Sequence, residues 1–331
     1  MELRQLEYFI VVAGEMSFSR AAERANVVQS ALSTSISKLE HELGVQLFDR
    51  SRQRIKLTVA GEAFRVRAAE VLRAATAARE SVLEQTASVS GTIDIGMLIS
   101  WGPLDFVAAL GDFVEENPRV RVRSHMSQTG SWAYLPELIE GTLDLALISA
   151  PQRFPPQLEM SLLFEDPLTF VCRPDHPLAG RKVVEIADLA EEGLVGFPPG
   201  FGLRSVVDEA FHAVGLEAPL QHELMLGFPQ IGELVRRGMG SAIIPDSEAR
   251  RMPALSRVEL TTEVLWVVYL ASRPLAEVSR ATARLSEIIM GVPGAIGSND
   301  SLHRTRDAAV ARPSSRAPRS GSRRPGVPAQ G

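Results

Sequence analysis

The chain of 331 residues holds a single cysteine, Cys172, so no disulfide can form within it. Cys172 lies in the apolar run Leu168-Thr169-Phe170-Val171-Cys172, which marks a buried thiol, with an exposed redox sensor as the competing reading. The six histidines (His41, His125, His176, His212, His222, His303) are scattered without metal-ligand spacing, and no metal is expected. A phosphate-binding glycine loop, a nucleophile elbow and a telling His–carboxylate pair are all missing, so nothing supports an enzyme. The opening MELRQLEYFI starts directly with helix periodicity at Leu3, Leu6, Phe9, Ile10 and Ala13. Neither a signal peptide nor a membrane span is expected there, and the expected location is the cytoplasm. The net charge of -5 argues against a surface coated in cations. A DNA reader can still be acidic overall if its cations are concentrated.

They are concentrated next to one helix pair. Ser17 to Leu39 has the pattern of two short helices joined by a tight turn. In the second, Val28, Leu32, Ile36, Leu39 and Leu43 are spaced as one buried stripe, while Gln29, Ser30, Ser33, Thr34 and Ser37 face away. Such a helix suits a major groove, where amides and hydroxyls bond base edges, although a solvated surface helix has the same pattern. Downstream, Arg50, Arg52, Arg54 and Lys56 recur at every second residue, which in one extended strand sets all four on one face. Alone this is an exposed strand face; beside a reading helix it is a wing that grips phosphates. The candidate DNA-binding residues follow. Gln29 is suited to bond adenine N6 and N7, and Ser33, Thr34 and Ser37 are suited to touch bases or phosphates. Ser30 and Lys38 position the backbone, and Arg50, Arg52 and Arg54 hold phosphates.

From Thr58, a plausible N-cap, a helical pattern runs to about Ser88. Phe64, Ala68, Val71, Ala75, Ala78 and Val82 make a heptad seam, which fits a dimer helix or a helix packed on its own domain. From Gly91 the text changes to strands alternating with helices, the pattern of a largely parallel sheet. Strands are expected at 92–97, 120–126, 143–148, 168–172, 194–197, 223–226, 241–244 and 264–270, with helices at 103–116, 131–140, 204–214 and 230–237. Ligands bind such sheets beyond the carboxyl ends of the strands. The candidates there are Ser100 and Trp101, then Gln128, Thr129 and Ser131, then Phe201 and Gly202. Their hydroxyls and helix-start N–H groups suit a carboxylate or other anion, and Trp101 and Phe201 an apolar or aromatic body. After about residue 291 the chain is rich in Ser, Pro, Gly, Ala and Arg and has too little apolar surface to fold; a weak DNA tether is its alternative role.

Taken together, residues 1 to 290 resemble the LysR-type transcriptional regulators. The matching text includes Leu3-Arg4-Gln5-Leu6-Glu7-Tyr8-Phe9, Ser17-Phe18-Ser19-Arg20-Ala21-Ala22-Glu23, Gln29-Ser30-Ala31-Leu32-Ser33, Leu39-Glu40, Leu47-Phe48 and Arg50. Further along, Gly141-Thr142-Leu143-Asp144-Leu145-Ala146, Asp175-His176-Pro177-Leu178-Ala179 and Arg237-Gly238-Met239-Gly240 are similar to that family's regulatory domain. The resemblance implies an all-α winged helix-turn-helix head over 1–58, a dimerisation helix over 59–89 and an α/β periplasmic-binding-protein-like effector domain over 90–292. That domain is expected to have two Rossmann-like lobes, and the composition of 293–331 is expected to leave it a disordered tail. It also implies double-stranded promoter DNA, a second copy of the chain (a dimer, then a dimer of dimers) and a small-molecule co-inducer in the interlobe cleft as partners. RNA polymerase is a further candidate partner, no other cofactor is expected, and no membrane is implied. The alternative is a ligand-independent architectural DNA binder that uses its α/β domain only to oligomerise. Two departures stand out: Val28 replaces the usual Ser or Thr N-cap, and Thr34 stands where many members carry Arg. Either Asn26 caps an earlier start, or that helix end is looser.

Overall fold

The computed structural model describes residues 1–50, 55–83, 89–149 and 154–296. The head consists of α1 (Leu3–Glu15), α2 (Phe18–Arg24) and α3 (Gln29–Leu43), followed by β1 (Phe48–Asp49) and β2 (Lys56–Leu57). Ser17 caps α2 by accepting from Arg20 N, and Gly44 ends α3 in the left-handed region that glycine enters at no steric cost. Leu32, Ile36 and Leu39 of α3 close a core with Leu6, Phe9 and Val12 of α1 and Phe18 and Ala21 of α2. The two ends of the expected stripe are not in it: Val28 and Leu43 are exposed. Val28 precedes the first helical turn on extended backbone, so helical spacing does not govern where its side chain goes. Asn26 makes no cap for α3; the helix starts at Gln29, and Val28 is an N-cap without a side-chain hydrogen bond.

The wing differs from the single strand expected. β1 and β2 pair antiparallel, Phe48 opposite Leu57 and Asp49 opposite Lys56, so the chain reverses between Arg50 and Lys56. These two cations therefore do not lie in register on one strand face; Arg52 and Arg54 lie outside the described residues.

Helix α4 (Val59–Leu83) begins as expected, with Thr58 Oγ1 accepting from Gly61 N at 3.0 Å. Its seam divides. Phe64 and Ala68 pack into the core of the head, Phe64 edge-on to Phe9 at 5.0 Å, whereas Val71 and Ala78 are exposed. The expected continuation to Ser88 lies outside the described residues, and Arg65 ties the helix to Glu140 at 2.6 Å.

The effector domain comprises β3 (Gly91–Met97), α5 (Phe106–Glu116), β4 (Val120–Met126), α6 (Tyr134–Glu140), β5 (Leu145–Ser149), β6 (Glu159–Cys172), β7 (Val183–Val184) and β8 (Leu194–Gly196). It continues with α7 (Gly202–His212), β9 (Leu220–Glu223), α8 (Phe228–Arg236), β10 (Ala242–Pro245), α9 (Asp246–Ala249), β11 (Ser256–Leu260), β12 (Leu265–Ser272) and α10 (Arg280–Met290). The sheet order is β4-β3-β5-β12-β6-β11-β7, with β10 also paired to β6. β3 runs parallel to β4 and β5, but β12 is antiparallel to β5 and β6, and β10 and β11 are antiparallel to β6. The sheet is thus mixed rather than largely parallel. β6 connects the lobes: Glu159–Pro167 pair with β12 in the first, and Leu168–Cys172 pair with β10 and β11 in the second. No helix among the described residues is long and apolar enough to cross a membrane.

Candidate DNA interface and effector cleft

The outward face of α3 carries Gln29, Ser30, Thr34, Ser37 and Lys38, all exposed, with Ser33 half-buried beside them. Gln29 is not loose: its Oε1 accepts from Ser19 Oγ of α2 at 3.1 Å. With its oxygen engaged, the amide N–H2 is the part left for a base, which favours an acceptor such as thymine O4 or purine N7 over the two-sided adenine contact.

Glu40 is the residue that sequence reasoning missed. From the fourth turn of α3 its Oε1 accepts from Leu47 N (2.8 Å) and Phe48 N (3.1 Å), and its Oε2 binds Arg50 Nη2 at 2.9 Å. Arg50 also lies 4.7 Å from the centroid of the Phe18 ring. One carboxylate thereby fixes the wing against the reading helix, and Arg50 is anchored in that bond while its side chain stays 39% exposed. The spacing of the contacts, seven to ten residues, follows no helix or strand period, so no periodic signal reveals it.

The second site lies between the lobes, a cleft of about 470 Å³ counting its open mouth. Of the seven candidates, Ser100, Ser131, Phe201 and Gly202 line it. Trp101, Gln128 and Thr129 do not: Trp101 turns away to stack on Phe106 at 5.5 Å, and Gln128 and Thr129 are exposed, with the Thr129 carbonyl at the rim against Gly200. Thr129 instead donates its N–H to Ser127 Oγ at 3.1 Å, and Ser127 takes its place in the lining.

The lining is built on hydrogen bonds and aromatic rings. Ser149, at the end of β5, is a hub: its N–H donates to Ser131 Oγ (3.0 Å), its carbonyl accepts from Trp132 Nε1 (3.1 Å), and its Oγ accepts from Trp266 Nε1 (2.5 Å). Ser100 donates its hydroxyl to buried Glu248 and accepts from Gly102 N at 3.0 Å. Aromatic contacts run across the lobes, from Phe164 to Trp266 (5.3 Å), Trp266 to Phe228 (6.3 Å), Phe228 to Phe197 (5.5 Å) and Phe197 to Phe201 (5.7 Å). The lobes meet backbone to backbone at one rim, where a Cβ on Gly130 would stand 1.9 Å from the Gly200 carbonyl oxygen. Among the described residues no Lys, Arg, His, Asp or Glu lines the cleft; the starts of α7 at Gly202 and α8 at Phe228, neither with a side-chain cap, are its electropositive features.

Cys172, at the end of β6, is fully buried, and burial pushes its thiol up to about 11. At pH 7 only about one molecule in ten thousand would hold the reactive thiolate, given that value. Native protein is therefore expected to resist both a thiol-labelling disulfide reagent and millimolar peroxide, and to label fully after unfolding. Rapid labelling of the native chain would contradict its burial.

A winged helix-turn-helix head joined by a long helix to a two-lobed α/β domain with an interlobe cleft is the architecture of a ligand-binding domain coupled to a DNA reader. Comparison with known proteins agrees. Residues 3–62 match the bacterial regulatory helix-turn-helix protein, lysR family, and residues 86–292 match the LysR substrate binding domain. The chain belongs to the LysR family of transcriptional regulators. It is 34% identical over 249 residues to the transcriptional dual regulator GltC of Bacillus subtilis, covering 75% of this chain and 81% of GltC. It is 30% identical over 245 residues to a hydrogen peroxide-inducible genes activator of Pectobacterium carotovorum, covering 74% of this chain and 80% of that one. Among solved structures, full-length CbnR complexed with its target DNA superposes with a TM-score of 0.56 at 24% identity, over 87% of this chain and 99% of that one.

Proposed function

We propose that this LysR-family regulator holds promoter DNA through α3 and its wing, and that an uncharged small molecule in the interlobe cleft changes that hold. The observation that carries the effector reading is the cleft itself: aromatic rings from both lobes, four serines and, among the described residues, no Lys, Arg, His, Asp or Glu in the lining. A carboxylate moved there would lose its water without gaining a full countercharge, and burying an unpaired charge is costly. Glu248, directly behind Ser100, is paired with Arg251 at 2.8 Å, so that pair offers the cleft no free cation. The anion inferred from helix starts alone is therefore replaced by a neutral acceptor, such as an amide carbonyl. It would face Ser131, Ser149 and the start of α7, with an apolar or aromatic body against Phe197, Phe228 and Trp266.

The same reading assigns the remaining parts. Gln29, Ser30, Ser33, Thr34, Ser37 and Lys38 face DNA, with Arg50, Arg52 and Arg54 toward phosphates. The exposed side of α4, with Val71 and Ala78, faces a second copy, so that a dimer and a dimer of dimers address paired half-sites. The head, the linking helix, the effector domain and the tail divide near residues 58, 89 and 292; the protein acts in the cytoplasm, without catalysis, and RNA polymerase is its candidate partner at the promoter. The relative named as peroxide-inducible suggests a redox trigger, but buried Cys172 offers no reactive thiol for one. A purely architectural role leaves the cleft without a use.

Matched neutral and anionic probes test the proposal. Benzamide at millimolar concentration is expected to raise the melting temperature of the full chain, because a ligand of the folded state stabilises it, and benzoate is not. Protection by benzoate alone would overturn the uncharged class, and protection by benzamide that survives Ser149→Ala and Phe228→Ala unchanged would move the site elsewhere.

A further inference from the structure

Val28 stands where the chain enters α3. Its backbone is extended (φ -75°, ψ 139°), and its carbonyl accepts from Ala31 N and Leu32 N at 3.0 and 3.2 Å. Its side chain caps nothing and is 70% exposed, the most exposed large apolar side chain between α1 and the wing among the described residues. Around it the surface is polar: Gln29, Ser30 and Thr34 are exposed, with Ala31 as a small apolar neighbour. A Ser or Thr at this point would cap the helix and remain solvated. Valine does neither, leaving the helix start without a side-chain partner and an isopropyl group in water. The position lies on the very end of the helix whose polar face is turned to DNA.

In the major groove the apolar group that can answer it is the C5 methyl of thymine. Thymine carries O4 next to that methyl, and the amide N–H2 of Gln29, freed by the Ser19 contact at Gln29 Oε1, is suited to O4. We propose that Val28 is a specificity-determining residue that packs on a thymine methyl, reading the same base step as Gln29. This rests on α3 being the helix that enters the groove. It makes the loss of the capping hydroxyl the cause of a base preference rather than a defect of the helix.

The test uses the full chain. A binding site is first selected from random-sequence DNA, and each of its thymines is then replaced singly by deoxyuridine, which lacks only the methyl. Affinities are measured at fixed salt for the wild type, Val28→Ala and Val28→Ser. The wild type is expected to lose roughly fourfold at one thymine position per half-site, the worth of one buried methyl. Both variants are expected to bind the thymine and uracil forms equally. Val28→Ser supplies a capping hydroxyl, so it should melt at or above the wild-type temperature, which separates lost reading from lost folding. Wild-type indifference to every methyl would overturn the assignment. So would variants that keep the wild-type thymine preference, including the case in which Val28→Ala alters only the oligomeric state. Failure to select any site would instead strike at DNA reading by α3 itself, and with it at this proposal.

Discussion

Glu40→Ala is expected to destabilise the head by about 2–6 kcal/mol, because two backbone N–H donors at nearly dry positions lose their acceptor and each orphaned group costs about 1–3 kcal/mol. Leu47 and Phe48, whose N–H groups bond Glu40, are both 1% exposed, so water cannot readily replace the carboxylate. Arg50 would lose its partner as well, and with it the contact that sets the wing against α3. The expected readout is specific to place: amide exchange at Leu47 and Phe48 accelerates by orders of magnitude, while the exchange of β3 and β5 in the effector domain is unchanged. DNA affinity should fall with it. Glu40→Gln keeps a carbonyl acceptor and should retain part of both. Unchanged exchange at Leu47 and Phe48 in Glu40→Ala would show that another group holds the wing.

Gly130→Val is expected to hold the cleft open. Gly130 has φ +92°, a backbone region that costs a residue with a side chain about 1–3 kcal/mol. The larger obstacle is across the cleft: a Cβ would sit 1.9 Å from the Gly200 carbonyl oxygen, backbone that cannot rotate aside. Gly200 approaches from the other lobe in turn, its own Cβ position lying 2.7 Å from the Thr129 carbonyl oxygen, still too close for a side chain. Separation of the lobes at this rim relieves the clash. Exchange of the amides of 129–131 and 200–202 should rise, protection by benzamide should disappear, and DNA binding by the head should survive. A variant with wild-type exchange and wild-type ligand protection would mean that the rim contact is not part of the ligand-holding state.

The head is legible in the sequence because its chemistry is local. The spacing of Leu32, Ile36 and Leu39 places them in the core, and the polar residues between them face outward by the same geometry. The pattern fails at its edges, where Val28 is not yet helical and where Arg50 and Lys56 belong to two strands of a hairpin rather than to one. In the effector domain most strands are visible, though the one expected at 223–226 lies at Leu220–Glu223, but their directions are not, since period two is the same for parallel and antiparallel pairs. The long strand β6 illustrates this: Glu165-Asp166-Pro167 interrupts it between the apolar runs Leu162–Phe164 and Leu168–Cys172, so its continuity and its role as the passage between lobes stay hidden. β11 has only two apolar residues in five and does not announce itself, whereas α10 carries a helical stripe of Ala281, Leu285 and Ile289 that reading by alternating strands and helices passes over. The cleft was half legible. Strand-end reasoning points to Ser100, Ser131, Phe201 and Gly202, but Phe197, Phe228 and Trp266 look like ordinary core in sequence and become a wall of the cleft only when β8, α8 and β12 converge. Trp101, one residue after Ser100, faces the opposite way and packs on Phe106, which adjacency in sequence cannot decide.

The most direct test of the whole account is selection of fragments from host genomic DNA by the purified full chain, with binding repeated at several salt concentrations. A DNA-reading regulator should enrich a few short, two-fold-symmetric sites, and its preference for them should persist as salt lowers overall affinity. Uniform recovery of all fragments, vanishing with salt and leaving no enriched sequence, would contradict it.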